Sequence, residues 1–126
     1  MKRVTLVKLL VNAHDEALEF YTEKLGFEVA EDTKLGDYRW LLVRLPDNEE
    51  FCINLDVAKT SEQEALVGRQ AADLPLFSID TDDCMSVYRS LKGRGVEFEG
   101  EPEVLPYGTG VLMKDLYGNK IYLNQD

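Results

Sequence analysis

The chain is poor in the residues that usually betray chemistry: one histidine and one tryptophan, with only two cysteines among 126 residues. A single histidine, His14, makes a site of two histidines and one carboxylate impossible within one chain. Cys52 and Cys84 are too few for a disulfide framework at this length, and they read as small thiols in a reducing compartment, with the cytoplasm as the default address. Basic residues are scarce, 14 against 24 acidic, for a net charge of -10. They form no run or stripe, and the excess negative charge repels phosphate backbones, so nucleic acid is excluded as a partner. No apolar stretch approaches the roughly 20 residues of a membrane span. Met1-Lys2-Arg3 leads directly into a strand-like alternation rather than a signal-peptide apolar block, so no membrane partner is expected.

What is present suits one domain over residues 1–126, because 44% hydrophobic residues supply one core and not two. Leu6 to Val11 reads as a strand. Asn12 is positioned to cap a helix with Asp15 in its first turn, and Ala17, Leu18, Tyr21 and Leu25 form its buried stripe with Phe20 at the margin. Gly26 ends that helix. Phe27-Glu28-Val29 opens a second strand, Tyr38 to Leu45 a third, and Phe51 to Leu55 a fourth after the Pro46-Asp47-Asn48 turn.

The order β-α-β-β-β then recurs. Leu76 to Ile79 is a strand, Asp82 or its neighbour caps a helix through Leu91, and Gly93 and Gly95 close it. Strands follow at Val96-Glu97-Phe98, at Gly110 to Lys114, and at Lys120 to Asn124 after a turn over Asp115 to Asn119. An offset of about 70 residues between the halves marks a duplicated supersecondary unit. The modules span about 4–56 and 74–126, joined by a linker at 57–73. Ser61 and Glu64 have capping-box spacing, so part of that linker is a short helix.

Asp15-Glu16-Ala17-Leu18-Glu19-Phe20-Tyr21 with Lys24-Leu25-Gly26-Phe27-Glu28, the stretch Leu91 to Phe98, and Asp115 with Gly118-Asn119-Lys120-Ile121 resemble the vicinal-oxygen-chelate superfamily. That superfamily includes glyoxalase I, extradiol dioxygenases, and fosfomycin and bleomycin resistance proteins. The last turn departs from its usual form at Leu116, where a proline is customary. The resemblance implies an α+β fold of two βαβββ modules whose sheets curl around an open cup. In metal-bearing relatives the ligands come from the first and last strands of each module, and the matched positions here are Leu6, Asn54, Leu76 and Tyr122. None is a histidine or carboxylate, so no metal and no cofactor are expected. His14 lies away from these positions and reads as an exposed early-helix residue.

Strand alternation assigns the cup lining. Val7, Leu9 and Val11 face the helices, as do Leu41, Val43, Leu45, Phe51, Ile53, Leu55, Phe77, Ile79, Ile121 and Leu123. The other face carries Leu6, Lys8 and Leu10; Trp40, Leu42 and Arg44; Cys52, Asn54 and Asp56; Leu76, Ser78 and Asp80; Tyr122 and Asn124. Apolar walls with a few placed polar groups suit a small-molecule site. Its candidate ligand-binding residues are Tyr122, Trp40, Lys8, Asn54, Arg44, Ser78 and Tyr107. Lys8 must reach water, pair with Asp56 or Asp80, or meet an anionic ligand. Arg44 is either a ligand group or a solvated rim arginine, and Trp40 either stacks on a ligand or packs in a core. Tyr107 lies in a Pro106-to-Gly110 loop that either closes over a ligand or merely connects strands.

Three functions fit: a metal-independent binding protein of the resistance type, a glyoxalase-like lyase or isomerase, and a structural module with a filled cup. No catalytic residue is assigned. The expected partners are a small-molecule ligand and a second copy of the chain, since open sheet edges favour a homodimer.

Overall fold

In the computed structural model, which describes every residue from Met1 to Asp126, the chain groups into two units, Met1–Val67 and Gly68–Asp126. The first contains β1 (Leu6–Val11), α1 (His14–Glu19), β2 (Glu28–Leu35), β3 (Tyr38–Arg44), β4 (Cys52–Val57) and α2 (Ser61–Leu66). The second contains β5 (Pro75–Asp80), α3 (Cys84–Gly93), β6 (Glu97–Leu105), β7 (Gly108–Lys114) and β8 (Lys120–Gln125). The expected α+β class and the repeated β-α-β-β-β order are both present. Each unit has one open four-stranded sheet, ordered β1-β4-β3-β2 and β5-β8-β7-β6. In each the first strand runs parallel to the last while the other pairs are antiparallel, because a helix crossover carries the chain away from the first strand and hairpins bring it back.

Register fixes the faces. Lys8 pairs with Asn54, and Asn54 with Leu42, so these three share one face of the first sheet. The opposite face meets α1: Arg39 Nη1 of β3 donates to Asp15 Oδ1 of α1 at 2.8 Å, and Leu41 and Val43 follow Arg39 in alternation. Leu9, Val11, Leu41, Val43, Ile53 and Leu55 are buried there with Ala17 and Tyr21. In the second unit Cys84 and Tyr88 of α3 pack on Val111 and Leu123, flanked by Ile79, Val87 and Phe98. The Tyr88 and Phe98 rings meet edge to face at 4.8 Å. The exception among the expected helix-facing residues is Val7, which is 40% exposed because it stands near the start of an edge strand.

Several element ends differ from expectation. The first helix is capped at Ala13 rather than Asn12, with no side-chain bond, and it keeps α geometry for only six residues. Phe20–Lys24 widens to a π-helical turn in which Leu25 N–H donates to the Phe20 carbonyl at 3.2 Å. Thr22 Oγ1 donates to the Leu18 carbonyl at 2.7 Å, occupying the acceptor a regular α-turn would offer to the Thr22 N–H. The second helix is capped by Thr60, whose Oγ1 accepts from Gln63 N–H at 3.1 Å while Gln63 Oε1 accepts from Lys59 N–H at 2.8 Å. The reciprocal cap therefore sits one residue before the Ser61 and Glu64 pairing expected. That helix lies in the first unit against β1. Asp83 settles the choice at α3, its Oδ1 accepting from Ser86 N–H at 3.0 Å. Gly93 is the last residue of α3, and Gly95, at φ +90° with its N–H donating to the Lys92 carbonyl at 3.0 Å, closes the helix.

The expected loop from Pro106 to Gly110 shrinks to the two-residue turn Pro106-Tyr107, because Leu105 already pairs with Gly108. Gly108 and Gly110 are strand residues. The partner strands are also irregular: β2 shifts register between Val29 and Glu31, and β6 between Glu99 and Glu103, where Gly100 has φ +82°. Such bulges bend a strand and re-aim its side chains.

Candidate ligand-binding faces

The face of each sheet turned away from α1 or α3, here the far face, gathers most of the candidate residues. In the first unit the row Lys8–Asn54–Leu42 crosses its middle. Trp40 lies one row along β3, opposite Thr33, and Arg44 lies one row the other way, opposite Glu28. Asn54 is 0% exposed. Its Nδ2 donates to the Leu41 carbonyl at 3.1 Å, while its Oδ1 has no partner in the protein. Reversing the amide would aim oxygen at a carbonyl, so this bond fixes which atom is left over.

The far-face cations of the first unit, Lys8 and Arg44, are each engaged by a carboxylate. Lys8 Nζ lies 2.8 Å from Asp56 Oδ2, realising the internal pairing weighed for it. Arg44 Nε donates to Glu28 Oε2 at 2.9 Å, and that bond raises the pKa of the guanidinium. Trp40 is half-buried. One further pair was not anticipated: Lys59 Nζ sits 5.5 Å from the Tyr38 ring centroid, a cation–π contact. Tyr38 stands two residues before Trp40, so strand periodicity already placed it on the same face.

In the second unit the central row is Ser78–Tyr122–Leu112–Glu99. The Tyr122 hydroxyl is buried and has no partner. It lies against Gly110, where an added Cβ would collide with it, so the ring lies across β7 through the space a side chain would fill. Burial, and then the nearby Tyr107, push the phenol pKa upward. Ser78 is exposed beside Tyr122, and Tyr107 is 69% exposed at the hairpin turn. Lys114 and Lys120 face each other across β7 and β8, and both approach Glu99 Oε1, at 3.6 and 3.2 Å. From the sequence Gly110 reads as a loop glycine at the start of a strand and the lysine pair has no assigned role, because what each of them contacts depends on register.

His14 is half-buried rather than exposed, and its Nε2 is enclosed without a partner. Burial, then the positive charge of Arg39, hold its pKa below 6.5. Arg39 bridges α1 and β2, its Nη2 donating to Asp32 Oδ2 and its Nη1 to Asp15 Oδ1, both at 2.8 Å. The bond from Arg39 lowers the pKa of Asp32. Arg39 belongs to the α1 side of β3, opposite the far-face residues, while the charge of Asp56, the partner of Lys8, also acts on His14.

The positions matched to metal ligands present two hydrocarbons, Leu6 and Leu76, one amide, Asn54, and one phenol, Tyr122. Nowhere do three or more His, Cys, Asp or Glu side chains gather as a metal ion would require. This donor set does not fit a divalent metal.

A family model described as the Glyoxalase/Bleomycin resistance protein/Dioxygenase superfamily matches residues 3–123. The chain belongs to that superfamily. An uncharacterized protein of Shewanella frigidimarina is 36% identical over 115 residues, covering 90% of this chain and 85% of its own length. The solved structure of UcmS2 superposes with a TM-score of 0.88 at 30% identity, covering 98% of both chains. TnmS3, an antibiotic binding protein from Streptomyces sp. CB03234, superposes with a TM-score of 0.82 at 27% identity, covering 99% of this chain and 96% of that one. The scaffold of this glyoxalase/bleomycin resistance superfamily member is thus established, and a scaffold of this kind does not by itself fix the chemistry it carries.

Proposed function

We propose that this superfamily member is a metal-independent small-molecule-binding protein of the resistance type, whose binding surface is drawn from the far faces of its sheets. The observation that carries the reading is the equivalence of Asn54 and Tyr122. Each stands on the last strand of its unit, at the centre of its far face, with a buried polar atom that finds no partner in the protein. Buried polar atoms are overwhelmingly paired, so two exceptions at corresponding positions, with Trp40 one row from Asn54 and Ser78 beside Tyr122, suit groups reserved for a ligand. Similarity to an antibiotic binding protein supports the same reading. Lys8 and Arg44, each held by a carboxylate, serve as rim groups that orient a ligand rather than as free counter-charges. The two units act as one domain in the cytoplasm, and the open strand edges are covered in a homodimer.

Trp40 is the only tryptophan, which makes its fluorescence a direct reporter of the first far face. Titration with a panel of small aromatic compounds, including antibiotics, should give saturable quenching. Binding should weaken in Trp40→Phe, followed by calorimetry, and in Tyr122→Ala. A panel without any binder, or variants that bind as well as wild type, would refute the reading. Nickel, zinc, manganese and iron(II) should leave the melting temperature unchanged. A stoichiometric metal with a clear upward shift would instead favour a glyoxalase-like lyase. Light scattering should return twice the chain mass, and a monomer would refute the dimer.

A further inference from the structure

Gly110 and Tyr122 form a slot and its occupant. The phenol lies where any other residue at 110 would place its Cβ, and its hydroxyl is buried against that strand without an acceptor. Leu112, its register partner on β7, and Ser78, its partner on β5, flank the ring without supplying one. Nothing in this arrangement makes use of the hydroxyl. A phenylalanine would fill the slot as well and would leave no buried O–H unpaired. The ring hangs from a single χ1/χ2 pair on a strand whose neighbour is bare at the point of contact, so it can leave the slot without displacing another side chain of β7.

We infer that Tyr122 is a specificity-determining residue stowed over Gly110, which leaves its slot to donate a hydrogen bond to an acceptor on the ligand. The inference rests on the ligand-binding reading above and narrows it to a ligand class: compounds with an apolar or aromatic body and a carbonyl, ether or carboxylate oxygen. A hydrocarbon of the same shape gains nothing from the hydroxyl and must leave the ring stowed. Gly110 is then the residue that keeps the donor hidden until a suitable acceptor arrives. Because the stowed state competes with binding, removing the slot should raise affinity rather than lower it.

The test uses acetophenone and isopropenylbenzene, which share one heavy-atom skeleton and differ by a carbonyl oxygen in place of a methylene. Their dissociation constants are measured by ligand-observed and protein-observed NMR with wild type, Tyr122→Phe and Gly110→Ala. Wild type should prefer acetophenone by about 3- to 10-fold, the range of one neutral hydrogen bond. Tyr122→Phe should reduce that preference to about one and should melt no lower than wild type, since it loses only an unpaired hydroxyl. In Gly110→Ala the phenol should titrate closer to its ordinary range, and acetophenone should bind more tightly. Should Tyr122→Phe keep the wild-type preference, or should wild type bind both compounds equally, the inference falls while the binding function stands. Absence of binding by either compound to wild type, alongside a silent aromatic panel, would overturn both. Tyr122→Phe changes no volume of consequence, so the result does not hang on whether Gly110→Ala folds.

Discussion

In the first sheet the far-face aromatic one row from the centre, Trp40, stands on β3, and the central position of β4 holds the small amide of Asn54. In the second, β7 has no side chain at Gly110, and the central position of β8 holds Tyr122, whose ring reaches across into the space above Gly110. Leu42 and Leu112 are register partners of Asn54 and Tyr122 respectively, so Trp40 and Gly110 stand at corresponding places two residues earlier. The two units have one topology and bring an aromatic to the same part of the surface from different strands. Duplicated topology preserves the wall, and side-chain size is exchanged between neighbouring strands to fill it. The polar atom left over also differs: an acceptor at Asn54, a hydroxyl at Tyr122. One face thus leaves an amide acceptor unpaired, and the other a phenol hydroxyl able both to donate and to accept.

The comparison can be pressed by substitution, beginning where the effect is largest. Leu41 is fully buried on the α1 face, whereas Leu112 is half-buried on the far face. Leu41→Ala should therefore lose about 3–4 kcal/mol in urea unfolding and Leu112→Ala about 1–2, because cavity and transfer terms follow burial. Equal losses would mean that the far faces are as tightly packed as the helix faces. Glycines come next. A Cβ at Gly108 meets the backbone carbonyl of Gln125 at φ +142°, whereas at Gly110 it meets the movable ring of Tyr122. Gly108→Ala should thus cost about 2–3 kcal/mol and Gly110→Ala only about 1, measured in the same way.

Smaller still is the change expected at Asn54. Asn54→Leu removes one hydrogen bond together with one unpaired acceptor and keeps the volume, so stability should change by less than about 1 kcal/mol while ligand affinity falls. A larger destabilisation would mark Asn54 as a structural residue.

The smallest effect concerns pH and belongs to the first unit alone, which holds the chain's one histidine. The pKa of His14 is lower in the folded protein than the ordinary 6.5, so the unfolded chain binds the extra proton as pH falls. Its contribution to stability is present above about pH 6.5 and is lost as pH falls through that value toward the folded one. Melting temperatures taken from about pH 7.5 to about pH 5 should decline with a slope that His14→Gln reduces. Asp32, also depressed, acts in a separate window, present above its ordinary 3.8 and lost at lower pH. An unchanged slope in His14→Gln would remove His14 from the account.

Much of this was legible in residue order. Alternation along β1, β3, β4, β5 and β8 separated helix-facing from far-face positions, because a pleated strand with one face against a helix must be apolar on that face. Val7 escaped only because an edge strand is uncovered at its start. The π-turn at Phe20–Lys24 was hidden, since the Thr22 hydroxyl competes for a backbone acceptor in a way no apolar stripe reveals. The cap at Thr60 was missed by one residue because both Thr60/Gln63 and Ser61/Glu64 satisfy the same spacing. Pro106 to Gly110 looked like a loop because its glycines and proline carry turn character, yet pairing of Leu105 with Gly108 left room for only two turn residues.

Local chemistry by itself determined the element order, the duplication, the core faces and the poverty of metal donors, since each follows from periodicity or from residue identity. Tertiary structure alone decided the partners. That Lys8 takes Asp56 and Arg44 takes Glu28, that Asn54 spends its amide N–H on the Leu41 carbonyl, and that Tyr122 lies over Gly110 all depend on register between strands. Register is set by the packing of whole faces and by bulges at Ala30 and around Gly100, and a shift of one residue would have turned every one of these side chains to the other face.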